Sequence, residues 1–183
     1  MPFIGKVDVA PPGFINITLS DAWLAQQVQE ILAAGDEFGN VDVGKGKRVQ
    51  VEYGSINPTG PLHVGAGRNL ALGDTIANTL EAGGYEVQRE YYVNDAGTQM
   101  DKLGESIYVR YCQALGHDCG DVPEGGYKGD YVADWARQIV ADEGDRYLSL
   151  PREEAVVALR EIGLNLALDN IREDCERMGV HYD

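Results

Sequence analysis

Residues 51–68, Val-Glu-Tyr-Gly-Ser-Ile-Asn-Pro-Thr-Gly-Pro-Leu-His-Val-Gly-Ala-Gly-Arg, constrain this 183-residue chain more than any other segment. They read as a strand, then a Pro/Gly turn, then the start of a long helix. That order brings unpaired backbone N–H groups and the positive end of a helix dipole to one point. Such a point suits phosphate. Gly60, Gly65 and Gly67 let a ligand come close to the backbone. His63, at the helix mouth, has a ring N–H to offer a phosphate oxygen. An ordinary βα connection, with glycines that serve packing alone, has the same pattern, and spacing alone leaves both readings open.

The neighbouring sequence extends the motif into a unit. Arg48–Tyr53 and Glu86–Val93 read as strands. The helix between them carries Leu70, Leu72, Ile76, Ala77 and Leu80 and stops at Gly83-Gly84. A connection of that length implies a parallel strand pair and a right-handed crossover. Asn94 and Asp95 follow the second strand, where open α/β sheets line their ligand crevice, with a structural turn as the close second reading. Three helices then follow. The first spans 97–115 with Met100, Leu103, Ile107, Val109 and Tyr111. The second spans 130–142 with Tyr131, Val132, Trp135 and Ile139. Ser149 and Pro151 open the third, with Glu153 and Glu154 in its first turn. Leu159, Ile162, Leu166 and Ile171 keep helical spacing along it. Upstream, Phe14–Leu19 alternates as a strand does. Ser20 caps a helix over about 21–34, with Trp23, Leu24, Val28, Ile31 and Leu32 on its apolar side, and Gly35 stops it. Residues 35–47 and 116–129 read as loops, the former without a packing signal.

Composition excludes several classes of function. The net charge of −15 argues against strong nucleic-acid binding by these residues alone. Lys45, Lys47 and Arg48 form the one dense basic spot and read as a solvated turn. No apolar run reaches bilayer-spanning length. Met1-Pro2-Phe3-Ile4-Gly5-Lys6 lacks the layout of a signal peptide, so a cytoplasmic location is the default. Cys112, Cys119 and Cys175 are odd in number and without metal-ligand spacing, which predicts reduced thiols.

The wording from Asn57 to Arg68 resembles the HIGH signature of class I aminoacyl-tRNA synthetases. Val51-Glu52-Tyr53 before it and Arg89-Glu90-Tyr91-Tyr92-Val93-Asn94-Asp95-Ala96-Gly97 after it narrow the resemblance to arginyl-tRNA synthetases. Gly13-Phe14-Ile15-Asn16 and Met178-Gly179-Val180-His181-Tyr182-Asp183 agree, so the likeness runs over nearly the whole chain in the family's order. It implies an α/β fold: a Rossmann-like parallel sheet, the first half of a class I synthetase catalytic domain, with a mainly helical insertion. It divides the chain into residues 1–20, the tail of an N-terminal tRNA-contacting domain; 21–47, a connecting helix and loop; 48–95, the first half of the nucleotide-binding domain; 96–178, the helical insertion; and 179–183, the start of a next strand at which the chain stops, as expected of a fragment.

The implied activity is ligation of arginine to tRNA. The carboxylate of L-arginine attacks the α-phosphate of ATP, and the arginyl group then passes to tRNA(Arg). Catalysis falls to His63, Gly65 and position 66, and ATP binding to Pro58, Thr59, Gly60, His63, Gly65 and Gly67. Glu52, Ser55 and Asn57 match arginine-binding positions, and their acceptors suit a guanidinium and an ammonium. Asn94 and Asp95 are further crevice candidates. ATP enters as a substrate, with Mg2+, and no resident metal or organic cofactor is expected. The expected partners are L-arginine, ATP and tRNA(Arg), with no membrane, on a monomer.

The sequence departs from the pattern in three places. Position 66 is Ala where the family has a second His, and Asn69 or a backbone amide is the nearest replacement donor. No KMSKS lysine signature occurs. Gly60 stands where some relatives carry a compensating lysine. The chain alone is therefore expected not to complete adenylation. A non-catalytic nucleotide-binding paralogue and another HIGH-type nucleotidyltransferase are the alternative readings.

Overall fold

A computed structural model describes all residues from Met1 to Asp183. They fall into two compact units, Met1–Lys47 with Ala82–Tyr85, and Arg48–Glu81 with Glu86–Asp183.

In the first unit, β1 (Ile4–Ala10) and β2 (Phe14–Leu19) form an antiparallel hairpin whose register shifts between Ile4 and Lys6. α1 (Asp21–Ala34) follows, and the Ser20 hydroxyl accepts from the Trp23 amide at 3.5 Å. The ends of β2 and α1 match the sequence expectation. β1 does not, because residues 1–13 carried no strand expectation. Leu24, Val28, Ile31 and Leu32 are all exposed, so the expected apolar side of α1 covers nothing in this unit. Residues 41–46 do have partners. The amides of Val41, Gly44 and Gly46 donate to the carbonyls of Ala82, Gly83 and Gly84, each at 2.8 Å.

In the second unit, β3 (Arg48–Glu52) and β4 (Glu86–Glu90) pair in parallel, from Arg48 opposite Glu86 to Glu52 opposite Glu90. α2 (Val64–Ala82) connects them. Its buried line is Ala66, Leu70, Gly73 and Ala77. A Cβ at Gly73 would lie 2.2 Å from Tyr53, so only a glycine lets the helix pass that ring. Leu72 and Ile76, apolar residues of the same helix, are exposed, because the sheet contact is narrow and uses small residues. β4 was expected to reach Val93 but ends at Glu90. β3 offers no partner beyond the bond from the Tyr53 amide to the Glu90 carbonyl at 3.1 Å.

α3 (Thr98–Ala114), α4 (Asp130–Glu143) and α5 (Arg152–Met178) make the helical core. Met100, Leu103, Ile107, Tyr111, Val132 and Leu159 are each at most 1 % exposed within it. α5 buries every fourth residue: Ala155, Leu159, Gly163, Ala167, Ile171 and Cys175. Ile162 and Leu166, expected on that line, are half-buried. Small residues occupy the line because α3 lies close: a Cβ at Gly163 would sit 2.3 Å from Ile107 Cδ1. The first part of α5 packs in the helical core, while Ile171 and Cys175 join Tyr53, Leu70, Ala77 and Val180 in a second core beneath the sheet. Gly179, in the left-handed conformation at φ 71°, ends the helix. Asp183 then pairs with β4, donating its amide to the Arg89 carbonyl at 3.2 Å.

The cysteine expectation needs correction. Cys112 and Cys119 form a disulfide with Cα atoms 6.0 Å apart, and Cys175 alone is free and buried. The chain folds back as α3 ends, where the His117 amide donates to the Cys112 carbonyl at 2.9 Å, and this returns Cys119 to Cys112. No helix is long and apolar enough to cross a membrane.

Candidate active site

The backbone leaves the extended conformation as β3 ends. Gly54 at φ 74° and Ser55 at φ 49° are both left-handed. Gly54 has no room for a side chain, since a Cβ would lie 2.7 Å from the Tyr182 hydroxyl and 2.8 Å from Leu70. Its amide donates to Asn69 Oδ1 at 2.7 Å. The oxygen of Asn69 thereby holds this loop on α2, and its Nδ2 keeps its donors. Ser55 is an unusual residue for this backbone region. Its hydroxyl supports the conformation by donating to the Glu52 carboxylate and accepting from the Tyr92 amide at 3.0 Å. Glu52 and Ser55 are thus brought together, with the Glu52 carboxylate exposed.

Beyond these two residues, the Tyr91 hydroxyl accepts from the Ile56 amide at 3.0 Å and donates to the Ile56 carbonyl at 2.8 Å. Asn57 and Asn94 meet as well. Asn94 Nδ2 donates to Asn57 Oδ1 at 3.2 Å, and Asn57 Nδ2 donates to Gln99 Oε1 at 2.7 Å. These amides border a cavity of about 210 Å3 that also touches Ala96, Gly97 and Thr98 at the start of α3. Asp95 is exposed and makes no side-chain hydrogen bond or ion pair. Pro58 is buried. The Tyr131 hydroxyl, from the first turn of α4, donates to the Thr59 carbonyl at 2.8 Å. A Cβ at Gly60 would lie 2.8 Å from the same tyrosine, so no side chain fits at position 60 with the ring where it is.

His63 heads α2. Its Nδ1 accepts from the Ala66 amide at 3.2 Å, and its carbonyl accepts from the Gly67 amide at 3.0 Å. An amide can only donate, so the proton of the neutral ring resides on Nε2. The side chain itself is exposed. Ala66 and Gly67 being satisfied, the amides of Val64 and Gly65 remain unpaired at the positive end of the helix dipole. A Cβ at Gly65 would come within 3.0 Å of His63 Cε1, so this glycine makes room for the imidazole. Ala66 is only 3 % exposed and its amide is taken by His63, so position 66 contributes packing and no donor. A Cβ at Gly67 would lie at an ordinary contact distance of 3.9 Å from Met178. No hydrogen bond links the Glu52–Ser55 pair to the His63 cap.

Burial raises the pKa of Tyr53, Tyr91 and Tyr182, and pushes that of Tyr131 up to about 12. These hydroxyls stay protonated and keep donating at neutral pH. No three His, Cys, Asp or Glu side chains are grouped to hold a metal ion. Gln99 and Tyr131 belong to the site's support although the sequence reading left them out. Their partners lie 42 and 72 residues away, and no local pattern encodes such a pairing.

Residues 27–118 match the family described as tRNA synthetases class I (R), catalytic domain. The chain is 47% identical over 180 residues to an arginine–tRNA ligase of Dehalococcoides mccartyi, covering 98% of this chain and 32% of that protein. The identity to an arginine–tRNA ligase of Carboxydothermus hydrogenoformans is also 47%, with the same coverage. The chain thus spans about a third of the length of these relatives. A Campylobacter jejuni structure assigned as an arginyl-tRNA synthetase superposes with a TM-score of 0.78 at 32% identity, over 90% of this chain and 36% of that one. The Thermus thermophilus arginyl-tRNA synthetase superposes with a TM-score of 0.53 at 27% identity, over 99% of this chain and 29% of that one.

Proposed function

The chain belongs to the class I tRNA synthetases of the arginine (R) type, and from that premise we propose that it supplies the arginine and ATP entrance of an arginine–tRNA ligase. The overall reaction joins L-arginine to ATP as arginyl-adenylate, releases pyrophosphate, and transfers the arginyl group to the terminal ribose of tRNA(Arg). The attacking carboxylate is ionised at neutral pH and needs no general base. The protein's task is to align two anions and to offset charge growing on the phosphates.

The observation that carries this reading is the mouth of α2. His63 turns Nδ1 back onto the Ala66 amide, which leaves a protonated Nε2 and the Val64 and Gly65 amides as outward donors. We assign these donors to the ATP phosphates, with Pro58, Thr59, Gly60 and Gly67 forming the surrounding walls. Glu52, Ser55 and Asn57 are assigned to arginine. The Glu52 carboxylate offers a charge-assisted acceptor to a cationic group. Asn94 and Asp95 line the adjoining crevice. No residue cluster here would hold Mg2+ by itself, so the ion would arrive on the ATP phosphates. With a net charge of −15, these residues contribute little to gripping tRNA. We place the working protein in the cytoplasm as a monomer.

Two departures bear on turnover. Ala66 is buried and supplies no imidazole. Gly60 has no space for a lysine while Tyr131 covers it, and no lysine signature occurs elsewhere in these residues. The 183 residues therefore bind substrates without completing adenylation. The test pairs thermal melting with arginine-dependent ATP–pyrophosphate exchange. Arginine and ATP should each raise the melting temperature, lysine should not, and exchange should stay at background. An absent arginine shift would sink the assignment of Glu52, Ser55 and Asn57. Exchange at the rate of a complete arginyl enzyme would sink the claim about adenylation.

A further inference from the structure

We propose that Tyr131 is a positioning residue for the nucleotide, holding the Pro58-Thr59-Gly60 turn in the shape that receives ATP. The proposal rests on the reading of that turn as part of the ATP site. The turn has little to hold it by itself. Its one backbone bond runs from the Thr59 amide to the Asn57 carbonyl at 2.8 Å. From outside, the Tyr131 hydroxyl takes the Thr59 carbonyl at 2.8 Å, and the ring lies where a Gly60 side chain would stand.

Tyr131 is itself held firmly. Trp135 meets it edge-on at 4.9 Å. A Cβ on Gly129 would lie 2.6 Å from the ring, so this glycine lets the tyrosine lie back over the start of α4. Val132 and Ala136, on the same helix, are fully buried in the helical core. Burial keeps the hydroxyl protonated and therefore a donor. Tyr131 thus ties Thr59 and Gly60, the two residues after the buried Pro58, to the helical core.

The arginine side of the site has other supports. Ser55 is held by Tyr92, and Asn57 by Asn94 and Gln99. Loss of the Tyr131 hydroxyl should therefore weaken ATP and leave arginine alone. A merely structural tyrosine would weaken both.

The experiment is Tyr131→Phe in the 183-residue chain, with ATP and arginine affinities measured by calorimetry and amide exchange followed along residues 57–62. ATP affinity should fall about tenfold, the equivalent of one hydrogen bond. Arginine affinity should not change, and the Thr59 amide should exchange faster while those of α3 hold. Unchanged exchange in the turn, or an equal loss for both ligands, overturns the proposal. If the unsubstituted chain binds no ATP, the reading of the turn fails first and the proposal falls with it, an outcome distinct from binding that ignores the substitution. Gly60→Ala provides a second approach that leaves the tyrosine in place. Alone it should weaken ATP by crowding the ring. Combined with Tyr131→Leu, which clears the space, it should add nothing further, and additive losses would overturn the proposal.

Discussion

The helical core and the layer around β3 and β4 sit in the same unit but are held by different forces. In the helical core, α3, α4 and α5 interlock large apolar side chains at near-zero exposure, with Gly163 admitting Ile107. The sheet layer has two five-residue strands and a smaller core of Tyr53, Leu70, Ala77, Ile171, Cys175 and Val180. Its loops are held by tyrosine hydroxyls on backbone atoms. Tyr91 bonds Ile56 on both sides, Tyr182 donates to the Tyr53 carbonyl at 3.0 Å, and Tyr53 donates to the His181 carbonyl at 3.3 Å. A site built from backbone N–H groups cannot also use them in a ladder, so polar side chains take over the support. The helical core should therefore respond to lost volume, and the site to a single lost oxygen.

Alkali tests both regions at once and should have the largest effect. Burial raises Tyr53, Tyr91 and Tyr182 in the sheet layer and Tyr111 and Tyr131 in the helical region. A raised folded pKa means that the unfolded chain releases the proton first. The stabilisation is thus complete below about pH 10 and is lost as pH climbs through about 12, the value for Tyr131. Circular dichroism and tyrosine absorbance, followed together, should show late ionisation coinciding with loss of helix. All tyrosines ionising near pH 10 with the helices intact would break the comparison, because neither region would then bury its hydroxyls.

Ile107→Ala comes next and separates the two. Ile107 is fully buried against Gly163 and Leu159 lies in the same cluster, so the close approach of α3 and α5 has no way to collapse around the gap. The expected loss is about 3 kcal/mol in urea unfolding. Arginine binding should persist wherever the chain is still folded. A loss under about 1 kcal/mol would mean that the helical core is looser than its burial implies.

The same contrast explains what the sequence discloses. Ser20, Gly35, Gly83-Gly84 and Pro151 mark helix ends in single residues, and they place α1, α2 and α5 correctly. The apolar positions of α3 are legible because they are large and regularly spaced. The buried line of α5 is not, since Ala155, Gly163 and Ala167 carry no hydrophobic signal and matter only because another helix lies close. β1 escapes notice because its alternation is confined to Lys6–Val9, between Gly5 and Ala10-Pro11. At the site, proline and glycine spacing shows that His63 heads a helix. It does not show that Nδ1 folds back onto Ala66, nor that Tyr91, Gln99 and Tyr131 reach the loop from 35 to 72 residues away. Local signals report backbone shape, whereas support of an open loop is a long-range matter.

Tyr91→Phe is the single-oxygen test in the sheet layer. The ring, packed edge-on to Tyr182 at 5.4 Å, keeps its volume, while the Ile56 amide and carbonyl both lose their partner. The expected cost is about 2 kcal/mol, since two half-buried backbone groups are left unsatisfied. Arginine affinity should drop with it, because Ile56 lies between Ser55 and Asn57. The same stability loss without any change in binding would show that the loop's shape does not depend on this hydroxyl.

Arg137→Ala should change least, and that smallness is informative. Arg137 pairs with Asp134 one turn away on α4, and both side chains are more than 60 % exposed. Water screens such a pair, and ordering two long side chains offsets most of the attraction. The expected change is within about 0.5 kcal/mol and shrinks further in salt. Arg146–Glu143 and Arg172–Asp169 have the same spacing, so the substitution samples a pairing that recurs along the chain. If Arg137→Ala removed more than about 1 kcal/mol, charge pairing along the helix surfaces would rival the buried side chains as the source of stability. The contrast between a region held by volume and one held by hydroxyls would then have to be redrawn around the acidic surface of the whole chain.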